Sequence, residues 1–484
     1  MTPPKRWIAL GSLLSLSSLP VFAQANVGTS ARSILGSGPI DGPALPQPRL
    51  TQADVTSGLY TLNELRRRGL EIFNTSFNHF DGYGDGPVNP LDPTMFGGRP
   101  TTNGTWLRVN GLDAQTCQEC HAFTSMATVP PSLGIAGVAG IANTAFPFVT
   151  DFDLADGDAS GIAEVNGRLI NPPFLFGAGG IELAGKEMTA ELQALKAQAQ
   201  ANPGTVVSLD TKGVHFGTLS FDPVDGFDYE DLEGIEEDLV VRPFGRKGEF
   251  PTIRQFDIEA LQFHMGMQAA EAVGTNVDLD GDGVMNEVIP GELSTMHIFG
   301  VTLERPFAVA QNDPGVRRGR MFFNQMGCAD CHVPELLTDA KSLNISFPEV
   351  ATDPDANVFM TIPLGNGTSS GFFENPFGGL TVPCFSDLKR HDMGPDLAET
   401  TGSALDPFFV TPRLWGISDT APYLHDGRAL TLRDAILAHG GEGQVARDNF
   451  ANAGAGTQKD LLAFLGSLRT PTNPGAGINQ PVRR

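Results

Sequence analysis

Two stretches of the chain, Cys117-Gln-Glu-Cys120-His121 and Cys328-Ala-Asp-Cys331-His332, share the pattern Cys-x-x-Cys-His. This pattern is typical of c-type haem attachment, in which both thiols bond to the macrocycle and the histidine ligates its iron. The two copies use four of the five cysteines in the chain. A zinc site or a redox dithiol is the alternative reading, and the duplication disfavours it. The sequence therefore predicts two covalently bound haem c groups, haem one on His121 and haem two on His332.

A second repeat lies upstream of each haem motif. The stretch Arg67-Arg68-Gly69-Leu-Glu-Ile-Phe73-Asn74 matches Arg317-Arg318-Gly319-Arg-Met-Phe-Phe323-Asn324. Each copy predicts a helix whose glycine allows close approach to a neighbour and whose phenylalanine lies on the same face. Phe323 precedes Cys328 closely, whereas an insert over roughly residues 76–115 separates Phe73 from Cys117. We therefore expect a mainly α fold of two cytochrome c-like haem domains with long loops and an insert in the first domain.

Elsewhere the residue pattern is weaker. Propensity and periodicity predict helices over residues 184–200, 251–271, 431–438 and 457–468. Residues 204–221 and 236–243 alternate weakly between apolar and polar side chains and predict short strands.

The beginning of the chain has the composition of a secretory signal. The basic residues Lys5 and Arg6 precede an apolar run to Phe22, and small residues follow at positions 23–25. We expect cleavage near residue 25, export to the periplasm and no stable insertion into the membrane, because no other apolar run approaches membrane length. The predicted divisions are a signal peptide (1–25), a linker (26–58), the first haem domain (59–275), a calcium-loop linker (276–300), the second haem domain (301–470) and a tail (471–484).

The chain is strongly acidic. Its formal net charge of -24 becomes -26 when the predicted signal peptide takes away Lys5 and Arg6. Such a surface disfavours nucleic acid and anionic lipid as partners. It favours a small basic electron-donor protein, although acidity that only maintains solubility is an equally good explanation.

Acidic residues alternate in the segment Asp278-Leu-Asp280-Gly-Asp282-Gly283-Val-Met-Asn286-Glu287. Oxygen donors at loop positions 1, 3, 5 and 9, with glycine at position 6, are typical of a calcium-binding loop. Position 12 is Ile289 instead of glutamate, so that Glu287 or Glu292 would complete the site. We predict Ca²⁺ held by Asp278, Asp280, Asp282, Asn286 and Glu287, with a solvated acidic turn as the alternative.

The sixth ligands of the two irons differ in how clearly the sequence indicates them. For haem two, His439 follows a short predicted helix and precedes two glycines that let the backbone pass close to a macrocycle. Met393 and His425 compete for this position. For haem one, no histidine follows His121 before His215, and Met126 is only a weak candidate. An iron without a strong sixth ligand is free to bind peroxide or O2.

The segment from Arg168 to Glu182 predicts a pocket wall near haem one. It is rich in proline, phenylalanine and glycine, and Glu182 is the nearest acid downstream. Cleavage of an O–O bond needs a group that moves a proton between the two oxygens, and a carboxylate in a dry pocket suits this task. Glu182 and Pro173 are therefore the candidate catalytic-site residues, with a helix-dipole role as the alternative for Glu182.

These motifs resemble the bacterial di-haem cytochrome c peroxidase/MauG superfamily, and more narrowly its di-haem oxidoreductase branch. Besides the two haem motifs and the acidic loop, the resemblance rests on Asn171-Pro172-Pro173, Phe244-Gly245-Arg246-Lys247, His391-Asp392-Met393-Gly394-Pro395, and the block from Thr411 through Trp415 to Arg428. It implies that haem two is the low-spin, electron-transferring centre and that haem one is reactive. It also implies that His439 is the second ligand of haem two and that Ca²⁺ binds between the domains.

The chain departs from the superfamily at two points. Its peroxidases often carry a detachable distal histidine soon after the first haem motif, and they usually place a tryptophan between the haems. Here no such histidine is present, and neither Trp106 nor Trp415 lies at that sequence position. The expected function is a periplasmic oxidoreductase that reduces H2O2 at haem one with electrons from a small cytochrome or cupredoxin. An oxygenase acting with O2 on an apolar substrate and a non-enzymatic electron carrier are the alternatives.

Overall fold

The computed structural model describes residues 42–84, 116–121, 171–173, 175–399 and 403–471, together with two short strand pairs within 88–96 and 154–165. The predicted signal peptide, most of the insert, Met126 and nearly all of the tail lie outside these described residues. None of the described helices is both long and apolar enough to cross a membrane.

The expectation of a mainly α fold is wrong. Of the described residues, 35% are helical and 15% lie in strands. The physical reason is the high content of glycine (57 residues) and proline (36 residues), which interrupts helices and favours turns between short strands.

The described α-helices, in chain order, are α1 (Gln52–Thr56), α2 (Leu62–Phe73), α3 (Cys117–Cys120), α4 (Ala178–Ala201), α5 (Ile253–Met265), α6 (Ala270–Val273), α7 (Pro290–Val301), α8 (Pro314–Gln325), α9 (Leu432–Ala438), α10 (Gln444–Asn452) and α11 (Ala455–Leu465). Short 3₁₀ turns cover Cys328–Asp330, Ile417–Asp419 and Gly441–Gly443.

The described strands form small antiparallel sheets of two or three strands. Three-stranded sheets are β5 (Val207–Thr211), β6 (Val214–Asp222) and β7 (Gly226–Asp228), and β12 (Phe373–Glu374), β13 (Leu380–Val382) and β9 (Leu336–Leu337). Two-stranded pairs are β1 (Val88–Asn89) with β2 (Asp92–Phe96), β3 (Leu154–Ala155) with β4 (Glu164–Val165), β10 (Ser342–Ser346) with β11 (Val358–Pro363), β14 (Arg390–Asp392) with β15 (Phe408–Val410), and β8 (Phe307–Ala308) with β16 (Leu468–Arg469). The strands predicted over 204–221 are present, whereas residues 236–243 form no strand.

The two repeated glycines each lie where one helix crosses another. A methyl group on Gly69 of α2 would be 2.0 Å from the carbonyl oxygen of Thr295 in α7. A methyl group on Gly319 of α8 would be 2.0 Å from the carbonyl oxygen of Asp460 in α11. Both distances are far inside van der Waals contact, so these helix pairs can form only because glycine has no side chain.

Aromatic rings complete both helix crossings. The rings of Phe73 and Phe299 have centroids 5.5 Å apart, and those of Phe323 and Phe464 are 5.4 Å apart. Helices α2 and α7 are therefore the first-domain counterpart of α8 and α11. Helix α7 falls largely within the segment predicted as a linker, because it is buried from Gly291 to Val301 and so lacks the polar face that marks a surface helix.

Helix α4 lies at the centre of the molecule. Ile181, Ala184, Met188 and Leu192 recur at helical spacing and are fully buried. Lys186 on the same helix donates to the carbonyl oxygen of Asn344 in β10 at 2.8 Å. Helix α4 thus packs against α7 on one side and against strands that follow the second haem motif on the other. Helix α4 therefore connects the helices of the first region with strands that follow the second haem motif.

Candidate haem sites

Each Cys-x-x-Cys-His motif folds into one tight turn. The amide of His121 donates to the carbonyl oxygen of Cys117 at 2.9 Å, and the amide of His332 donates to that of Cys328 at 2.9 Å. At the first motif, the hydroxyl of Thr116 also accepts from the amide of Gln118 and caps α3. The turn therefore brings the backbone of each histidine close to that of the first cysteine of its motif.

Both histidines are held by a backbone carbonyl. Nδ1 of His121 donates to the oxygen of Pro173 at 3.0 Å, and Nδ1 of His332 donates to that of Phe385 at 3.0 Å. A proton on Nδ1 leaves the lone pair of Nε2 free for a metal. This contact gives Pro173 a role at haem one: its carbonyl orients His121.

Burial also favours the neutral imidazole. Burial, with a contribution from the charge of His264, lowers the pKa of His121 to about 4. Burial and the charge of His439 likewise lower the pKa of His332 to about 4. Because a metal binds only the unprotonated ring nitrogen, both side chains are ready to ligate iron at neutral pH.

His439 lies opposite His332. The centroids of the two rings are 6.4 Å apart, with their planes at 60°. Two imidazoles that ligate one metal from opposite sides, each at about 2 Å, have ring centres roughly 6 Å apart. Nδ1 of His439 donates to the carbonyl oxygen of Ala435 at 2.8 Å, so its Nε2 is again the nitrogen left for a metal. These residues fit an iron between them.

The two competing candidates occupy other places. His425 stacks on Phe409 at a centroid distance of 4.5 Å. The Met393 side chain lies beside His439, since both would contact a methyl group placed on Gly443. Neither arrangement sets these side chains against the ring of His332, so the geometry favours His439 among the three.

The loop from Thr411 to Trp415 carries polar groups that fit the carboxylates of a haem. Nε1 of Trp415 and Oγ1 of Thr411 are buried and lack a hydrogen-bond partner among the described residues. Arg413 makes a long contact of 3.5 Å with the carbonyl oxygen of Pro243 and lies over the ring of Phe244, and no carboxylate in the described part of the chain pairs with it. Buried donors without acceptors are costly, and the propionates of a bound haem would satisfy them.

Two phenylalanines lie near His121. One of them, Phe73, has a counterpart in Phe323 beside His332, whereas the other, Phe256, lies near His121 as His439 lies near His332. The ring of Phe256 in α5 lies edge-on to His121, with centroids 6.4 Å apart, and Phe73 lies at 6.5 Å. Phe256 was not predicted from the sequence as a residue of this site. A sequence signal for it exists, because Thr252-Ile253-Arg254 before Phe256 repeats Thr431-Leu432-Arg433 before His439.

Glu182 lies in a buried ionic cluster between α4, α5 and α7. Its carboxylate accepts from Nε2 of His297 at 2.9 Å and from the amide of Ile253 at 3.0 Å, and it pairs with Lys186 at 3.0 Å. Burial raises the pKa of Glu182, but attraction to His297 and Lys186 outweighs burial and holds the pKa well below its usual range. The carboxyl group is therefore ionised and fully engaged, and its catalytic role stays a prediction.

The acidic loop gathers three of its five predicted calcium ligands. Asp278, Asp280 and Asp282 have carboxylate oxygens within 4.8 Å of one another. Burial, reinforced by these three charges, raises the pKa of Glu287 to about 10. The amide of Asn286 is instead engaged with Asn276. The aspartates are arranged as a hard cation requires, and Ca²⁺ binding itself stays a prediction.

A short segment connects the two haem motifs. The backbone amide of Asn171 donates to the carbonyl oxygen of His425 at 2.7 Å, and its side chain donates to those of Pro422 and Leu424 at 2.8 Å each. Two residues later, Pro173 accepts from His121. The indole of Trp415 packs against Gly177 at the end of the same segment. The support of His121 is thereby tied to the second domain.

Comparison with known proteins gives one family and one curated relative. The family described as "Di-haem oxidoreductase, putative peroxidase" matches residues 273–468. The cytochrome-c peroxidase IdrP1 of Pseudomonas sp. (strain SCT) is 27% identical over 178 residues, which cover 34% of this chain and 44% of that protein. The chain thus matches less than half the length of this relative.

Two solved structures are similar at low scores. The hydrazine synthase of Kuenenia stuttgartiensis, pressurised with xenon, is 17% identical, covers 53% of this chain and 78% of its own, and has a TM-score of 0.28. A MauG-like protein associated with microbial copper homeostasis is 14% identical, covers 64% of this chain and 91% of its own, and has a TM-score of 0.30.

Proposed function

We propose that the chain is a di-haem peroxidase, because residues 273–468 match the di-haem oxidoreductase family, which supports the predicted resemblance to the di-haem peroxidase/MauG superfamily. Two covalently attached haem c groups would supply one-electron chemistry. H2O2 is reduced at haem one, and electrons enter at haem two from a small donor protein. The reaction takes place in the periplasm, to which the predicted signal peptide directs the chain.

One observation carries this proposal: the two histidines have equivalent supports but different surroundings. His332 faces the second histidine, His439, at 6.4 Å, whereas His121 faces the ring of Phe256. An iron with two protein ligands is suited to electron transfer, and an iron with an open position is suited to binding a small oxidant. The asymmetry therefore assigns different tasks to the two sites.

The protein groups around each site supply binding and orientation. Pro173 and Phe385 hold the ligating histidines through their carbonyls. Arg413, Thr411 and Trp415 supply a cation and hydrogen-bond donors for propionates. Asn171 keeps the loop that contains His425 against the support of His121. These hydrogen bonds link the support of His121 to the loop that contains His425.

Low-temperature EPR of the holoprotein, before and after addition of H2O2, tests the proposal. We expect a high-spin ferric signal from haem one and a low-spin signal from haem two, with only the first responding to peroxide. Turnover of H2O2 with a reduced basic cytochrome is expected to slow with rising salt, because the chain is acidic. Two low-spin signals indifferent to peroxide would identify an electron carrier, and O2 uptake with an apolar substrate an oxygenase.

A further inference from the structure

A buried cluster at the junction of three segments offers ligands for a metal ion. Glu182 belongs to α4, His297 belongs to α7, and Glu349 lies in the segment that follows β10. One oxygen of each carboxylate and one ring nitrogen of the histidine lie within 4.8 Å of one another. Two ligands of one metal, each about 2 Å from it, lie roughly 3–4 Å apart. Small side-chain movements would therefore let these three residues share an ion.

Two atoms of this cluster are buried acceptors that no donor reaches. Oε1 of Glu349 and Nδ1 of His297 have no hydrogen-bond partner among the described residues. The side chain of His297 is 0% exposed, and when its Nε2 donates to Glu182, its Nδ1 keeps a lone pair. An unpaired acceptor in a dry interior costs free energy. A cation beside these atoms would remove that cost.

Hydrogen bonds from the start of α5 anchor both carboxylates. Oε2 of Glu349 accepts from Oγ1 of Thr252 at 2.5 Å, and Oε2 of Glu182 accepts from the amide of Ile253 at 3.0 Å. Carboxylates that bind metals commonly have such outer partners. Oε1 of Glu182 also pairs with Lys186, but a carboxylate oxygen has two lone pairs and can bind an ion as well. Each carboxylate therefore keeps one oxygen for a cation.

Negative charge exceeds positive charge around the cluster. Asp257 of α5 adds a third carboxylate, close enough to interact electrostatically with both Glu182 and Glu349. Lys186 supplies one positive charge at 3.0 Å from Glu182, and a protonated His297 would supply a second. Three carboxylates thus face two cations at most. Unpaired charge is costly in a protein interior, so the balance favours a further cation.

Arg254 does not change this balance. Its guanidinium also interacts with Asp257, but it pairs with both oxygens of Glu271. Arg254 and Glu271 are therefore neutral as a pair.

A small cavity beside Glu349 gives an ion a route to the cluster. Its volume is about 20 Å³, and its lining includes Lys186, Thr252, Ser346 and Glu349. Val350, which also lines it, is exposed at the surface. A cavity of this volume holds one water molecule or an ion of similar size.

We propose that Glu182, His297 and Glu349 bind a divalent transition-metal ion, for which Zn²⁺ is the best match. One imidazole and two carboxylates are nitrogen and oxygen ligands of the kind that Zn²⁺ takes, whereas Ca²⁺ takes oxygen ligands alone. Water from the cavity would complete a tetrahedron around the ion. Because α4 and α7 belong to the first region and Glu349 follows the second haem motif, the ion fastens the two regions together.

Zinc binding to the holoprotein, with both haems attached, tests this inference. Wild type and Glu349→Gln are treated with a chelator and dialysed against Zn²⁺, and their zinc is measured by inductively coupled plasma mass spectrometry. Glu374→Gln, at an exposed residue that pairs with Lys341, is the matched control. Loss of an outer partner alone lowers metal affinity roughly 10- to 100-fold, so we expect Glu349→Gln to lower Zn²⁺ affinity about 100-fold or more. Zinc bound elsewhere cancels in the comparison.

X-ray absorption at the zinc edge of the wild-type holoprotein is an independent measurement. We expect nitrogen and oxygen ligands at about 2.0–2.2 Å and no sulfur. Equal zinc affinity in wild type and Glu349→Gln would overturn the inference, and so would sulfur ligands, which would assign the ion to cysteines. If Glu349→Gln does not fold, the absorption spectrum of the wild type still decides. Neither measurement depends on peroxidase activity, so the outcome is separate from that of the proposed function.

Discussion

In the first haem region, Gly69 lies where α2 crosses α7, and in the second, Gly319 lies where α8 crosses α11. At both glycines an added methyl group would be 2.0 Å from a carbonyl oxygen of the facing helix. The histidine supports match as well, at 3.0 Å each. The regions differ in the ring near each histidine: His439, directly after α9, lies near His332, whereas Phe256 of α5 lies near His121. The two regions thus share the helix crossing and the support of the histidine and differ in the ring that lies near it. Function therefore depends on a few residues near the two histidines.

Removing the residue that lies opposite His332 is expected to have the largest effect. His439→Ala would open haem two and should convert its EPR signal from low to high spin. His215→Ala, which removes an exposed ring paired with Asp210, is the control and should leave both haem signals unchanged. A low-spin haem two in His439→Ala would show that His439 is not its second ligand.

The two helix crossings should respond alike to added bulk. Gly69→Ala and Gly319→Ala each force a methyl group against a backbone oxygen, and we expect each to cost about 3 kcal/mol of unfolding free energy. Gly456→Ala on α11 is the control, because nothing lies within 4 Å of its position, and it should be neutral or slightly stabilising. Calorimetry measures all three. Unequal losses for Gly69 and Gly319 would indicate that one crossing can relax.

Local motifs account for what the sequence could predict. Cys-x-x-Cys-His and the Gly-Phe repeat encode their own turns and helices, so the helices Leu62–Phe73 and Pro314–Gln325, which contain the repeat, could be predicted. Helices predicted over 184–200 and 251–271 are present as Ala178–Ala201 and Ile253–Met265, because their composition favours helix throughout. The resemblance to the di-haem peroxidase/MauG superfamily is confirmed for the same reason: its motifs are short and contiguous.

Contacts between distant residues account for what the sequence missed. His297 reaches Glu182 across 115 positions, so the engagement of that carboxylate had no local signal. Helix α7 lacks a polar face, and this concealed it within a predicted linker. The small sheets between residues 336 and 382 depend on turns at glycine and proline, which carry no period. The repeat of Thr252-Ile253-Arg254 in Thr431-Leu432-Arg433 is visible in the sequence, but the place of Phe256 beside His121 needs the structure.

The acidic loop belongs to the first region only, so removal of Ca²⁺ should change the stability of the first region and not that of the second. In the metal-free protein the folded-state pKa of Glu287, about 10, lies above its ordinary value of 4.5, so unfolding releases its proton and stability falls as pH rises between these values. Bound Ca²⁺ favours the ionised form. We expect stabilisation of about 2.7 kcal/mol at a Ca²⁺ concentration 100 times Kd, larger at pH 8 than at pH 5.

Calorimetry with and without a chelator measures this effect, and Asp280→Asn is expected to abolish it. Asp339→Asn, which alters an exposed carboxylate outside the loop, is the control. Identical transitions with Ca²⁺ and with chelator at both pH values would mean that the loop is only an acidic turn.

Asn171 connects the two regions by side-chain hydrogen bonds. Its replacement should weaken this connection, and we expect the smallest effect of all the proposed changes. Asn171→Ala deletes two side-chain hydrogen bonds to the loop of Pro422 and Leu424, at an expected cost of about 1–2 kcal/mol. Because Pro173 follows closely, we expect the spectrum of haem one to shift while that of haem two stays constant. Asn202→Ala, which removes an exposed bond within the first domain, is the control. An Asn171→Ala variant with unchanged haem spectra and calorimetric transitions would contradict this expectation. The two regions would then be coupled through α4 and Trp415 instead, and the difference between the two sixth positions would not depend on this segment.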